Sequence, residues 1–525
     1  MQLHPSRTAV DLALAGVILV TGGVALREAA VVAWGAALLL GLAIARTATR
    51  ASVAQARAAG FEMVWLENPR RRRGARGETL ELAAELRNRE RRPARFSGLR
   101  AVASPYLTVT VEPTTGEVPA SGRLPVTVRV TPLRVGRHGL HGLSLEVHGS
   151  SGLFEVPLTF ANPFGLEVMP RTFGLAVRSA RGGRSRMQAP AGRPGPFSGD
   201  GNALRELREH QPGDPFKRIA WKASARRGSL VVRDFEREER DVVWLVLDAS
   251  VELWAGSPGA APLDLAIDEV AAAASRHLAQ GDRVGLAVIA ARELAWLRPD
   301  RGPGREVEIC SLLAEVTGTI DADRCDLDEE GVAARVYEHM RPLDPLGVAR
   351  LRPSELDRIA RRAERLRLRA PMTSEDPYAA TPRERALRRY LDAFGLDAPP
   401  RTTPDRSRTD LTLVTALSRL RTERPRASIV YVWSPPIDGG RTELLRALRR
   451  SSRTSQALRW VSVDIGQSLP TGDDPLLASV RFAVAARLEV ARARGEQALR
   501  RVGLIGATLR RRGRPGAEGT TLPRG

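Results

Sequence analysis

The side chains best suited to chemistry stand together in Asp248-Ala249-Ser250-Val251-Glu252. Carboxylates and a hydroxyl are hard oxygen donors of the kind Mg²⁺ takes. Other chemistries have less to work with. Cys310 and Cys325 are the only cysteines, too few for a disulfide framework or a four-thiolate zinc site. No HExxH occurs. His138 and His141 lie close together, but no carboxylate adjoins them and their segment reads as a turn. A hydrolase using Asp248, Asp214 or Glu252 would lack a nucleophile–base pair. No GxxxxGK[ST] loop is present, so any ATP chemistry would belong to a partner.

The Asp248 segment needs a scaffold, and the surrounding sequence predicts one. Residues 242–247 (VVWLVL) and 283–289 (RVGLAVI) are continuous apolar runs, as strands buried on both faces would be. Residues 428–433 and 460–463 read as further strands, and 294–297 as an edge. Residues 263–278 and 442–450 read as helices. This alternation predicts an open, mostly parallel sheet with helices on both faces, over residues 241–511. Ligands bind such sheets at the carboxyl ends of the strands, where Asp248 falls. An insertion at about 321–405 begins acidic and turns arginine-rich. Asp357 and Arg361, and Glu364 with Arg361 and Arg367, have the spacing of a solvated helix. Residues 478–511 predict a basic amphipathic helix that covers the sheet or lies on a membrane. The tail 512–525 is expected to be disordered.

Two apolar stretches, 9–26 and 29–45, are each close to a membrane-spanning length and are separated by Arg27-Glu28. They predict a transmembrane hairpin over residues 1–46. Arg7 on one flank and Arg46, Arg50 and Arg57 on the other place both ends in the cytoplasm, at the inner membrane. The basic run Arg70 to Arg73 follows. It reads either as a contact with acidic inner-leaflet lipid or as a solvated turn. Residues 61–175 contain alternating segments broken by Pro, Gly, Ser and Thr, which predicts an immunoglobulin-like β-sandwich. The formal charge is +21, nearly all of it from arginine. Nothing like a recognition helix, zinc finger or aromatic RNA platform accompanies it, so nucleic acid is not favoured as a partner.

Residues 176–240 read as a linker followed by a dense string. It runs Leu204-Arg205-Glu206-Leu207-Arg208-Glu209-His210-Gln211-Pro212-Gly213-Asp214, then Pro215-Phe216-Lys217-Arg218-Ile219-Ala220-Trp221-Lys222-Ala223-Ser224-Ala225-Arg226. Gly213-Asp214 is a turn signal, and Arg205, Arg218 and Arg226 are fork-shaped donors suited to carboxylates. Ile219 and Trp221, two apart, would share one face of a strand. Two readings stand. In one, Asp214 and Glu206 pair with arginines and Trp221 fills the core. In the other, Arg205, Asp214, Arg218, Trp221 and Arg226 form a partner-docking surface.

This string resembles the defining motif of domain-of-unknown-function family 58, and Asn162-Pro163-Phe164-Gly165-Leu166 resembles that family's D-P-F-G-L element. The resemblance implies a membrane anchor and a von Willebrand factor A-like α/β domain. It also implies a MoxR-type AAA+ ATPase, or its client proteins, as partner. The Asp248 segment is similar to the DxSxS opening of the von Willebrand factor A cation site, with Glu252 in place of the second serine. Thr409 resembles the threonine loop. The third loop should carry an aspartate but reads Ser434-Pro435-Pro436, with Asp438 the nearest acid. Asp248, Ser250 and Thr409 are therefore the candidate Mg²⁺ donors of a degenerate site, with weak binding or none expected. Together these features predict a non-enzymatic membrane scaffold. The rival readings are a hydrolase and an envelope protein whose domains face outward.

Overall fold

The computed structural model describes residues 3–149, 151–171, 187–302, 304–374, 376–437, 441–452, 457–463 and 475–509. Side chains of 187–203, 205, 235–239, 505 and 507–509 fall outside that description. The chain mixes helix with sheet and divides into two compact units, Met1–Met169 with Gly318–Pro400, and Pro170–Thr317 with Arg401–Gly525.

The first unit opens on two apolar helices, Arg7–Leu26 and Ala29–Ala59, each long enough to cross a membrane. They form a tight hairpin because glycines let the backbones touch. A Cβ at Gly35 would lie 2.8 Å from the Gly16 carbonyl oxygen. The second helix outruns its apolar stretch, and Val53 near its end is buried in the β core. At the other end of the hairpin, His4–Pro5 pairs with the strand Phe154–Met169. Both ends of the hairpin are thus fastened to the same β domain.

That domain has two sheets. One runs His4–Pro5, Phe154–Met169, Gly136–His148, Ala94–Ala103, Gly116–Val118. The other runs Glu62–Trp65, Leu80–Arg87, Arg123–Pro132, Leu107–Glu112. Alternation does its expected work: Leu82, Leu86, Val128 and Val130 meet Leu143, Leu145, Val156 and Phe164 in one core. The arginine run is neither a turn nor a free basic patch. Arg71–Ala75 is a strand parallel to Phe154–Met169. Arg73 pairs with Glu167 at 2.5 Å and Arg72 with Glu67 at 3.2 Å.

The inserted helices also correct the sequence reading. Glu329–Leu343, Leu356–Arg367 and Pro382–Phe394 share a core of Val336, Met340, Ile359, Leu387, Tyr390 and Phe394. Helical spacing of opposite charges described only their outer faces; the Arg367–Glu364 pair forms, at 2.7 Å. The trio is seated on Gly136–His148. Arg137 donates to the Thr373 carbonyl at 2.9 Å and pairs with Asp392 at 3.2 Å. Gly139 N–H donates to the Gly395 carbonyl at 3.1 Å, and a Cβ at Gly139 would sit 2.2 Å from the Phe394 oxygen. His138 and His141 therefore lie in a strand, not a turn. His138 faces Asp397 at 3.9 Å, a carboxylate distant in sequence. His141 packs against His339 with ring centroids 5.1 Å apart.

The second unit holds a six-stranded sheet in the order Glu293–Asp300, Arg283–Ile289, Val242–Asp248, Ile429–Ser434, Ala457–Val463, Ile505–Leu509. Every neighbouring pair is parallel except the Glu293–Asp300 edge. Val242–Asp248 is buried along its whole length, as its unbroken apolar run requires. The last strand lies inside a stretch expected to be helical; the helix ends at Arg501. A separate two-stranded ribbon joins Met187–Glu209 to Val231–Arg240 and carries the signature. Its first strand begins within the stretch expected to be a linker. Residues 172–186 and the tail from 510 lie outside the described residues.

Candidate functional site

Asp248 ends the central strand and is fully buried. Its Oδ1 accepts the Ser250 N–H at 3.0 Å, which folds the loop back on the strand end. Its Oδ2 accepts the Ser434 hydroxyl at 2.7 Å and Arg406 Nη1 at 2.7 Å. Arg406 is the first residue of the helix Arg406–Thr422. Its Nη2 also donates to Ser250 Oγ at 2.6 Å and to Glu252 Oε2 at 2.6 Å. Arg441 backs the cluster, gripping Asp410 at 2.7 Å and the Pro435 carbonyl at 3.2 Å.

Burial alone would raise the Asp248 carboxyl, but the Arg406 and Arg441 guanidiniums outweigh it. They hold the group below the usual carboxylate range. Burial likewise works against the charge on Arg406, and Asp248 and Glu252 more than restore it, so its pKa is raised. The arrangement brings Asp248, Ser250 and Glu252 together as the sequence suggested. The Thr409 hydroxyl instead donates to the Asp405 carbonyl of its own helix at 3.0 Å. The space between the Asp248, Ser250 and Glu252 oxygens is taken by a guanidinium, and the residues as they stand do not fit a divalent ion. Asp438 lies outside the described residues. Sequence reasoning missed Arg406 and Arg441. The signal for Arg406 was a cation in the first turn of a helix, where the dipole disfavours it unless acids hold it there.

The signature builds a second feature. Arg208 makes a bidentate pair with Asp214 at 2.8 and 2.6 Å, and Gln211 N–H donates to Asp214 at 2.8 Å. These bonds, Arg208's first, lower the Asp214 carboxyl to about 2. Gly213 takes φ 104°, which lets the turn close. A short 3₁₀ turn, Phe216–Arg218, then leads to buried Ile219, bridged to Val232. Here the expectation for Trp221 fails. It shares no strand face with Ile219, because Trp221–Arg227 is a helix. Trp221 is 61% exposed and Phe216 76% exposed. Ser224 turns inward instead, its Oγ accepting the Val231 N–H at 2.9 Å. Arg226 is exposed on the same helix, Glu206 makes no ion pair among the described residues, and the Arg205 side chain is outside them.

No curated protein matches the sequence. Solved structures similar to part of the chain include the ASH/PapD-like domain 7 of human CEP192. It has 16% identity, over 21% of this chain and 86% of that one, with TM-score 0.17. Another is WR4, an MSP family member of C. elegans, with 9% identity, 21% and 96% coverage and TM-score 0.15. The native conformation of E. coli alpha-2-macroglobulin gives 13% identity, 84% and 22% coverage and TM-score 0.16. Residues 206–328, which run from within the signature through the Asp248 loop, match the family model described as "Protein of unknown function DUF58", and this match supports that family.

Proposed function

We propose that the chain is a membrane-anchored, non-enzymatic scaffold whose von Willebrand factor A-like unit recruits a protein partner, a MoxR-type AAA+ ATPase or its client. The observation that carries the reading is the outward display of Phe216 and Trp221 on the signature. Two large aromatics left in water within one short basic segment favour an interaction site. The strand-end acids favour the same reading, because Asp248 and Glu252 are both paired with Arg406. Arg7, Arg46, Arg50 and Arg57, flanking the two apolar helices, support a cytoplasmic side for both units, with acidic inner-leaflet lipid at the helix ends.

Affinity purification of the tagged full chain from native membranes tests this. The expected result is co-purification of an AAA+ ATPase or its client, lost in the Phe216→Ala/Trp221→Ala variant. An identical set of co-purifying chains from both proteins would contradict it. So would hydrolytic turnover by the purified chain that disappears in Asp248→Ala.

A further inference from the structure

Of the 81 lysine and arginine side chains, all but two are arginine. The two lysines, Lys217 and Lys222, both fall in the signature. Each directly follows an exposed aromatic, Phe216 and Trp221. From Pro215 to Gly228 the segment carries Lys217, Arg218, Lys222, Arg226 and Arg227 and no carboxylate. Asp214, the acid just before it, is already taken by Arg208. Both lysines are exposed, and neither has an ion-pair partner among the described residues.

A chain that writes arginine nearly everywhere has departed from that habit at two neighbouring positions. The two side chains differ physically. Arginine is a planar fork, whereas lysine is a compact ammonium on a flexible stem that enters a narrow acidic pocket as a point charge. A diffuse anionic surface does not make this distinction, since its attraction follows net charge. We infer that Lys217 and Lys222, beside Phe216 and Trp221, are the recognition residues for an acidic protein partner, whose surface offers apolar pockets flanked by carboxylates. This rests on the docking reading above and specifies the chemistry of the docked face.

The experiment uses the full chain in native membranes. Carbodiimide coupling joins a lysine amine to a carboxylate in contact with it, with loss of water, and leaves arginine untouched. A photo-crosslinking residue at exposed Ala225, on the same short helix, reports proximity independently. The expected result is an amide bond from Lys217 or Lys222 to an Asp or Glu of another polypeptide, mapped by peptide mass spectrometry. In Lys217→Arg/Lys222→Arg, which keeps the net charge, the photo-crosslink to that polypeptide falls about tenfold, the ratio given by ~1.4 kcal/mol of lost pairing. A protein photo-crosslink at Ala225 with no carbodiimide product, or one indifferent to the Arg variant, overturns the inference and leaves the docking reading standing. A photo-crosslink to phospholipid alone overturns both and makes the face a membrane contact. Absence of any photo-crosslink also overturns both.

Discussion

Arg406 is the residue on which the strand-end cluster turns. Removing its guanidinium would leave Asp248 charged and buried without its main counter-ion. Losing one partner of such a pair typically costs ~3–5 kcal/mol. Arg406→Ala should therefore lower the stability of the α/β unit by about that amount in chemical denaturation. Calorimetric titration of Mg²⁺ or Mn²⁺ into the unmodified chain should show no tight stoichiometric binding, because the oxygens are already occupied. Asp248 titrates below its unfolded value, so its contribution is fully present above about pH 4 and is lost as pH falls through the lower folded value. The histidine pair works over a milder range. Burial first, then Arg335, lowers His141 to about 4; burial first, then His141 and Arg335, lowers His339 to about 3. Between the unfolded value near 6.5 and these folded values the unfolded chain binds more protons, so stability falls as pH falls. From pH 7 to pH 5 each histidine should cost ~2 kcal/mol. His339→Phe should roughly halve that slope in denaturant melts at the two pH values, and an unchanged slope would show that the pair is not responsible.

At the scale of elements, legibility followed periodicity. Residues 242–247 and 283–289 were readable as strands because a strand buried on both faces has only apolar residues to show. The stretch 80–87 was readable because one face is dry and the other wet. What failed was anything decided by distant neighbours. In the strand Gly136–His148 the alternation of 141–147 is legible, but its first residues hide behind glycines, and only the fold reveals that Gly139 is required for the approach of Phe394. The strand Ile505–Leu509 was absorbed into the preceding helical pattern, since five residues carry little period of their own. Trp221 reads from sequence either as a core residue or as part of a docking surface, because a large aromatic serves both, and only its helical setting decides between them. The strand-end acids were legible and their counter-ion was not, because Arg406 lies more than 150 residues away in sequence. The inserted helices give a test at this scale. Leu391 is fully buried among them, so Leu391→Ala should destabilise the first unit by ~2–5 kcal/mol. A solvated helix, as charge spacing alone suggested, would tolerate the change.

For the whole molecule, the hairpin and the units it carries form one topological statement. His4–Pro5 and the end of Ala29–Ala59 both meet the two-sheet β domain, so the two ends of the hairpin share a side. Reporter tags at residues 1 and 525 should respond alike in intact cells, both shielded from external protease until the membrane is opened. An exposed C-terminus would contradict the proposed cytoplasmic ATPase partner. Whether the signature faces a partner rather than the core is decided by Trp221→Ala, with melting and partner capture measured on the same preparation. The melting temperature should stay within about 2 °C of the unmodified chain, as for an ordinary surface substitution, while the co-purifying partner is lost. A marked fall in melting temperature, or an unchanged Tm with the partner fully retained, would contradict the docking reading.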